Sequence, residues 1–250
     1  MQTNPGTVLV TGGSRGIGAA VALQVAQAGY DVAVQYRADA AAARAVAEHV
    51  QAVGRRAWVF AADVADETAV RALFDRLDGC GRLTALVNSA GIVAPQCRFD
   101  EMEPARWRRM FEVNVLGTLL CTQLAVRRMS SRHGGAGGAI VNVSSMAAVL
   151  GSPGLYVDYA TSKGAIDTFT VGLGRELATE GVRVNAVRPG IIDTDIHAES
   201  GDPHRAHRSA GLIPMARPGS ADEVAAAIVW LLSPAASYVT GAIYDVSGGR

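Results

Sequence analysis

The chain has 250 residues, 49% of them apolar and 18% charged, with Lys+Arg and Asp+Glu balanced at 23 each. That balance leaves neither a basic surface for nucleic acid nor an acidic solvating tail, and no run nears the ~18 apolar residues of a membrane span. The opening MQTNPGTVLV lacks the charged start and apolar core of a signal peptide, and Cys80, Cys97 and Cys121 show no metal or disulfide spacing. Both features fit a cytoplasmic protein in a reducing compartment.

Along the chain, short valine-rich runs alternate with long alanine-rich periodic segments. Thr7–Thr11 reads as a first strand, followed by a helix near 16–28. The run 31–36 precedes a helix near 39–53, and the run 56–60 a helix near 67–78. Then come the run 83–87 with a long helix over 103–131, and the run 139–143 with a helix over 155–179. The run 182–187, a helix near 221–232 and a last run at 242–246 complete the series. Uninterrupted apolar strands are those buried on both faces of a parallel sheet. The expected fold is therefore α/β: a doubly wound, Rossmann-like parallel sheet of about seven strands, helices on both faces, in one domain over 1–250.

The first strand ends in TGGSRGIG. Glycines at 12, 16 and 18 allow a sharp turn, close approach of backbone to a diphosphate, and tight packing of the helix that follows. That helix's N-terminal amides then face the anion. Alone, such a turn could be no more than a tight strand–helix connection; its place in the first unit of an alternating chain points to a dinucleotide.

Tyr159 and Lys163 stand four residues apart, on one face of a helix. A nearby ammonium favours phenolate and lowers a phenol's pKa from its ordinary value near ~10. Tyr156 has Ala160 four residues on, so it lacks the cation. Asn114 sits in FEVNVLG, within an otherwise apolar helix where asparagine is disfavoured.

These motifs, in this order, resemble the short-chain dehydrogenase/reductase family over essentially the full length. To the glycine turn they add Asp63, NSAG at 88–91, NVSS at 142–145, YATSK at 159–163, RPGIIDT at 188–194 and the closing SYVTGAIYDVSGG. The resemblance implies a nicotinamide-dependent oxidoreductase interconverting a carbonyl and an alcohol. Its catalytic residues would be Asn114, Ser145, Tyr159 and Lys163: Tyr159 the proton donor in reduction, Ser145 orienting the carbonyl, Lys163 on the nicotinamide ribose, and Asn114 holding a relay water. Ser144 competes with Ser145; the resemblance picks Ser145, with one residue more before Tyr159 than the family's commoner spacing. Gly12, Ser14, Arg15, Gly16, Ile17 and Gly18 would hold the diphosphate. Asp63 and Val64 would meet the adenine, and Asn88, Ala90 and Gly91 would line the adenosine side. Tyr159, Lys163, Pro189, Gly190, Ile192 and Thr194 would surround the nicotinamide.

Where an NAD-selective relative carries an acid, at the end of the second strand, this chain has Tyr36 followed by Arg37. Arg37 and Arg15 would clamp a 2′-phosphate, which makes NADP(H) the expected cofactor over NAD(H). A substrate loop is expected at 193–217. Its His197, His204 and His207 lack a compact ligand spacing, so no metal is expected. Arg205 and Arg208 in the same loop could meet an anionic substrate or merely solvate a lid. Glu180 stands where acyl-carrier-protein reductases often carry a base, which favours a small ketone, alcohol or sugar over a 3-oxoacyl thioester. A non-catalytic dinucleotide sensor would be expected to lack Tyr159, Lys163 or Ser145. Nucleotide-sugar epimerisation would need an added substrate domain. The resemblance also implies a homotetramer, with no membrane or nucleic-acid partner.

Overall fold

In the computed structural model, residues 5–196, 201–202 and 204–250 are described. Strands β1 (Thr7–Thr11), β2 (Asp31–Tyr36), β3 (Ala57–Ala61), β4 (Leu83–Asn88), β5 (Gly138–Val143), β6 (Val182–Pro189) and β7 (Ile243–Val246) form one sheet. Every pairing is parallel, in the order β3-β2-β1-β4-β5-β6-β7. The helices are α1 (Gly16–Gln27), α2 (Ala40–Ala52), α3 (Glu67–Leu77), α4 (Pro104–Phe111), α5 (Thr118–Met129), α6 (Ala147–Leu150), α7 (Val157–Glu176), α8 (Arg205–Arg208) and α9 (Ala221–Leu232). None is long and apolar enough to cross a membrane among the described residues.

Alternate residues of each central strand feed two cores. Val8 and Val10 of β1 pack with α1, α2 and α9, whereas Leu9 packs with α3 and α5. Each such aliphatic side chain, fully withdrawn from water, contributes roughly 1.5–3 kcal/mol. That double burial is why the strands read as unbroken apolar runs. The winding reverses between β1 and β4, which are hydrogen-bonded neighbours. Chain connections leave in opposite directions there, so a crevice opens at the strands' carboxyl ends.

The helix expected over 103–131 is three pieces. Between α4 and α5 lies a π-helical turn, Glu112–Gly117. Two contacts fix it: the Asn114 side chain bonds to the Ile92 backbone, and Gly117 lies so close to Val64 that a Cβ would come within 2.8 Å of its side chain. Local propensity reports neither long-range contact. The short helices α6 and α8 likewise lie outside the periodic pattern.

Helices α2, α3 and α9 begin with side-chain caps: Asp39 accepts from the Ala42 N–H, Asp66 from Ala69, and Ser220 with Glu223 forms a capping box. Such caps answer the amides a helix N-terminus leaves unpaired. Helix α1 has none; its N-cap is Arg15.

Candidate active site

A cleft of about 700 Å³ opens along the carboxyl edge of the sheet, a volume suited to a large cofactor and a small substrate. Its floor is the glycine turn. Gly12 (φ +63°) and Gly16 (φ +53°) adopt left-handed backbone that side chains disfavour, and a Cβ at Gly18 would stand 2.2 Å from the Gly12 carbonyl oxygen. Gly12, Ser14, Arg15, Gly16, Ile17 and Gly18 all line the cleft. The uncapped α1 terminus therefore faces a shaped anion cradle, and these residues fit a dinucleotide diphosphate.

Two polar residues that motif reading passed over hold the cradle. Gln35 of β2 accepts from the Gly12 N–H at 2.8 Å and donates to the Ala62 carbonyl at 2.6 Å. Thr11 Oγ1 accepts from the Ser89 and Ala90 N–H groups, both at 3.1 Å. The turn is thus tied to the NSAG segment on one side and to Ala62, just past β3, on the other. Gln35 left one signal in the sequence, an amide inside an otherwise apolar strand.

The chemistry-bearing side chains meet farther along the cleft. Helix α7 presents Tyr159 and Lys163 on one face, with the Lys163 ammonium 5.7 Å from the Tyr159 ring centre. Lys163 donates to the Val143 carbonyl at 2.7 Å. Ser145 lies near enough to the Tyr159 hydroxyl to favour its ionised form, and its Oγ accepts from the Ala147 N–H at 3.1 Å. Ser144 points elsewhere: it is buried and donates to the Lys163 carbonyl at 3.2 Å. Ser145 is thus the serine placed beside the phenol, while Ser144 joins β5 to α7.

Burial dominates the titration of this pair. It pushes the Tyr159 phenol up to about 12, against the effect of Ser145. It pulls Lys163 down to about 8, against the charge of Asp167. Loss of hydration disfavours the charged form of each group and sets the direction for both.

Asn114 is held by backbone on its own account. Its Oδ1 accepts from the Ile92 N–H at 2.8 Å, and its Nδ2 donates to the Ile92 carbonyl at 3.0 Å and to Ser162 Oγ at 3.1 Å. It nevertheless borders Lys163: a Cβ on Gly91 would lie 3.4 Å from Asn114 Oδ1 and 3.6 Å from Lys163 Nζ.

At the other end, Tyr36, Arg37, Asp63 and Val64 line the cleft, with Arg15 reaching it from the glycine turn; Ala90 and Gly91 also line it, Gly91 beside Lys163. Asp63 accepts from the Ala65 N–H at 3.0 Å and from Arg109 at 2.5 Å. Its carboxyl lies below the ordinary range: burial works to raise it, but the Ala65 and Arg109 hydrogen bonds and the charges of Arg109 and Arg37 prevail. Arg109, on α4, was not foreseen from any motif. Pro189, Gly190, Ile192 and Thr194 line the cleft, Thr194 next to Gly16 of the glycine turn.

Asn88 departs from expectation. It is buried and absent from the cleft wall, its Nδ2 donating to Thr122 Oγ1 and Asn142 Oδ1, both at 2.9 Å. Asn88 and Asn142 are register partners on β4 and β5, so the pair ties the sheet together beneath the site. In the loop, His207 pairs with Asp193 at 3.3 Å, and His197 lies outside the described residues. No cluster of three metal-ligating side chains occurs among the described residues.

An anion cradle at the reversal point of a doubly wound sheet defines a Rossmann-type dinucleotide-binding protein. Comparison with known proteins narrows the class. The family model described as Enoyl-(Acyl carrier protein) reductase matches residues 12–250. The uncharacterized oxidoreductase YgfF of Escherichia coli (strain K12) is 54% identical, covering 97% of this chain and 98% of its own. The 3-oxoacyl-[acyl-carrier-protein] reductase FabG of Staphylococcus aureus (strain Mu50) is 36% identical, covering 97% of each chain. A short-chain dehydrogenase from Burkholderia cenocepacia J2315, solved in complex with NADP, superposes with a TM-score of 0.90 at 35% identity, covering 100% of this chain and 99% of that one. The chain belongs to the short-chain dehydrogenase/reductase family, oxidoreductases that bind a nicotinamide dinucleotide.

Proposed function

We propose that this protein interconverts a carbonyl and an alcohol on a small ketone, alcohol or sugar, using NADP(H) in preference to NAD(H). The observation that carries this reading is the meeting of Tyr159, Ser145 and Lys163 in the cleft that also holds the glycine cradle, with the Lys163 ammonium 5.7 Å from the Tyr159 ring centre.

The bound nicotinamide would supply or accept the hydride. The chain's own residues do the rest. Burial keeps the Tyr159 phenol protonated at neutral pH, ready to donate to a carbonyl oxygen during reduction. Ser145 donates to the same oxygen and offsets its developing charge. Lys163 fixes the nicotinamide ribose, and Asn114 borders the route by which Lys163 exchanges protons with solvent. Gly12, Gly16 and Gly18 admit the diphosphate, while Arg15 and Arg37 meet the 2′-phosphate and Asp63 the adenine.

A second reading, reduction of a 3-oxoacyl thioester, draws support from the Staphylococcus aureus relative, whose name states that activity. Against it, Glu180 stands where acyl-carrier-protein reductases often carry a base, and its carboxylate accepts a hydrogen bond from Ser130.

The test is a turnover screen of ketones, sugars and 3-oxoacyl thioesters with NADPH and NADH, followed by nicotinamide absorbance. Turnover of small carbonyl compounds supports the first reading, turnover of thioesters alone the second. No turnover of any compound goes against both.

A further inference from the structure

The substrate end of the cleft carries two guanidiniums that no part of the hydride chemistry uses. Arg205, half-buried, stacks over Tyr156 with its guanidinium carbon 5.3 Å from the ring centre. Tyr156 in turn meets the Tyr159 ring edge to face at 5.9 Å. Arg250, also half-buried, lines the same cleft. Neither arginine forms an ion pair among the described residues. Their neighbours differ: Arg208 is paired with Asp202, and His207 with Asp193. Arg208 and Arg217 of the loop thus have carboxylate partners, while Arg205 lines the cleft.

Packing fixes both positions. Ala206, beside Arg205, is fully buried in a small cluster with Ile191 and Ile213. Met215 N–H donates to the Gly248 carbonyl at 3.1 Å, and a Cβ on Gly249 would come within 3.2 Å of Pro214. The segment bearing Arg250 is therefore stapled to the loop bearing Arg205. Burial raises the Tyr156 hydroxyl; Arg205 and then Arg250 pull it down, and Asp202 to a lesser extent raises it, so both arginine charges reach its ring. Of the acidic side chains lining the cleft among the described residues, Asp195 lies on this side, and Asp39 and Asp63 belong to the adenosine end.

We infer that Arg205, assisted by Arg250, selects substrates that carry a carboxylate in addition to the reacting carbonyl or hydroxyl group. This rests on the oxidoreductase reading and names its substrate class as oxo acids and hydroxy acids. A half-buried guanidinium without an anionic partner has most to gain from a planar anion, which it grips through paired N–H donors. The carboxylate sits beside Tyr156, set back from the carbon that faces Tyr159.

The test compares kcat/KM for pyruvate, acetoacetate and levulinate with that for their methyl esters, using NADPH. The series moves the carboxylate one methylene at a time. We expect at least one acid to be preferred over its ester by roughly tenfold to a hundredfold, the value of one charge-assisted contact. That preference should fall at least severalfold in Arg205→Ala, be partly kept in Arg205→Lys, and weaken with added salt. Esters turned over as well as every acid overturn the inference and leave the oxidoreductase reading standing, as does a preference unchanged in Arg205→Ala. Failure to turn over any acid or ester, when other ketones are reduced, also overturns it. No turnover of any carbonyl compound removes the underlying reading as well.

Discussion

The Lys163 ammonium lies 5.7 Å from the centre of the Tyr159 ring and spends a hydrogen bond on the Val143 carbonyl at 2.7 Å. A cation so placed is costly to keep charged, and burial lowers its pKa to about 8 from the ordinary 10.5. Between those values the unfolded chain binds a proton that the folded chain does not, so stability rises with pH across that window. The desolvation penalty is fully present below pH 8 and is relieved toward 10.5. Each pKa unit is worth about 1.4 kcal/mol, so a gain on the order of 3 kcal/mol is expected across the window. Denaturant unfolding of wild type and Lys163→Met across this range measures it. The stability difference should shift in favour of wild type as pH rises; a flat difference contradicts the assignment.

Ser144 and Ser145 are adjacent and point to different fates. Ser145 meets the Tyr159 hydroxyl, and Ser144 ties β5 to the carbonyl of Lys163. Ser145→Ala should lower kcat by roughly tenfold to a thousandfold, as loss of an oxyanion donor does, with little change in melting temperature. Ser144→Ala should instead cost about 1 kcal/mol of stability through its lost buried bond. Steady-state kinetics and thermal unfolding of both variants separate the roles; the reverse pattern assigns them the other way.

Arg37 follows the tip of β2, and Arg15 heads α1 across the same end of the cleft. If they read a 2′-phosphate, wild type prefers NADPH over NADH by roughly a hundredfold in kcat/KM, about 1.4 kcal/mol for each tenfold. Arg37→Ala should lose about tenfold of that ratio. A wild-type ratio below one, or no fall in the variant, shows that these arginines do not discriminate the cofactors.

Much of this was legible in the sequence because it is written locally. Thr7–Thr11 declares its strand by unbroken apolar residues, TGGSRGIG its turn by glycines, and Tyr159–Lys163 its shared face by spacing. What was not legible depends on long-range contact. The π-helical turn around Asn114 exists because a distant loop backbone at Ile92 accepts and donates to its side chain. Asn88 belongs to a motif whose neighbours line the cleft, yet strand register turns its amide toward Asn142. Arg109 reaches Asp63 from forty-six positions away in sequence. The choice between Ser144 and Ser145 needed the side-chain directions at the end of β5.

Several apolar side chains remain in water: Leu116 of the π-helical turn is 57% exposed, and Tyr238, just before β7, is fully exposed. Strand β7 is an uncovered edge of the sheet. We expect a homotetramer with twofold interfaces over α5, α7 and this edge. Light scattering at micromolar concentration should give four times the 25.9 kDa chain mass, and a monomer mass refutes the assembly.

The central claim is that the Tyr159 hydroxyl moves the proton, and one substitution isolates it. Tyr159→Phe keeps the ring that packs against Tyr156 and deletes the hydroxyl that lies beside Ser145. The measurement is single-turnover reduction with saturating NADPH on whichever carbonyl compound wild type turns over, with cofactor affinity determined in parallel and Tyr156→Phe as the control. Tyr159→Phe should be slower by ~10²–10⁴-fold with cofactor affinity largely kept, and Tyr156→Phe should lose far less. A Tyr159→Phe enzyme that reduces substrate near the wild-type rate contradicts the account.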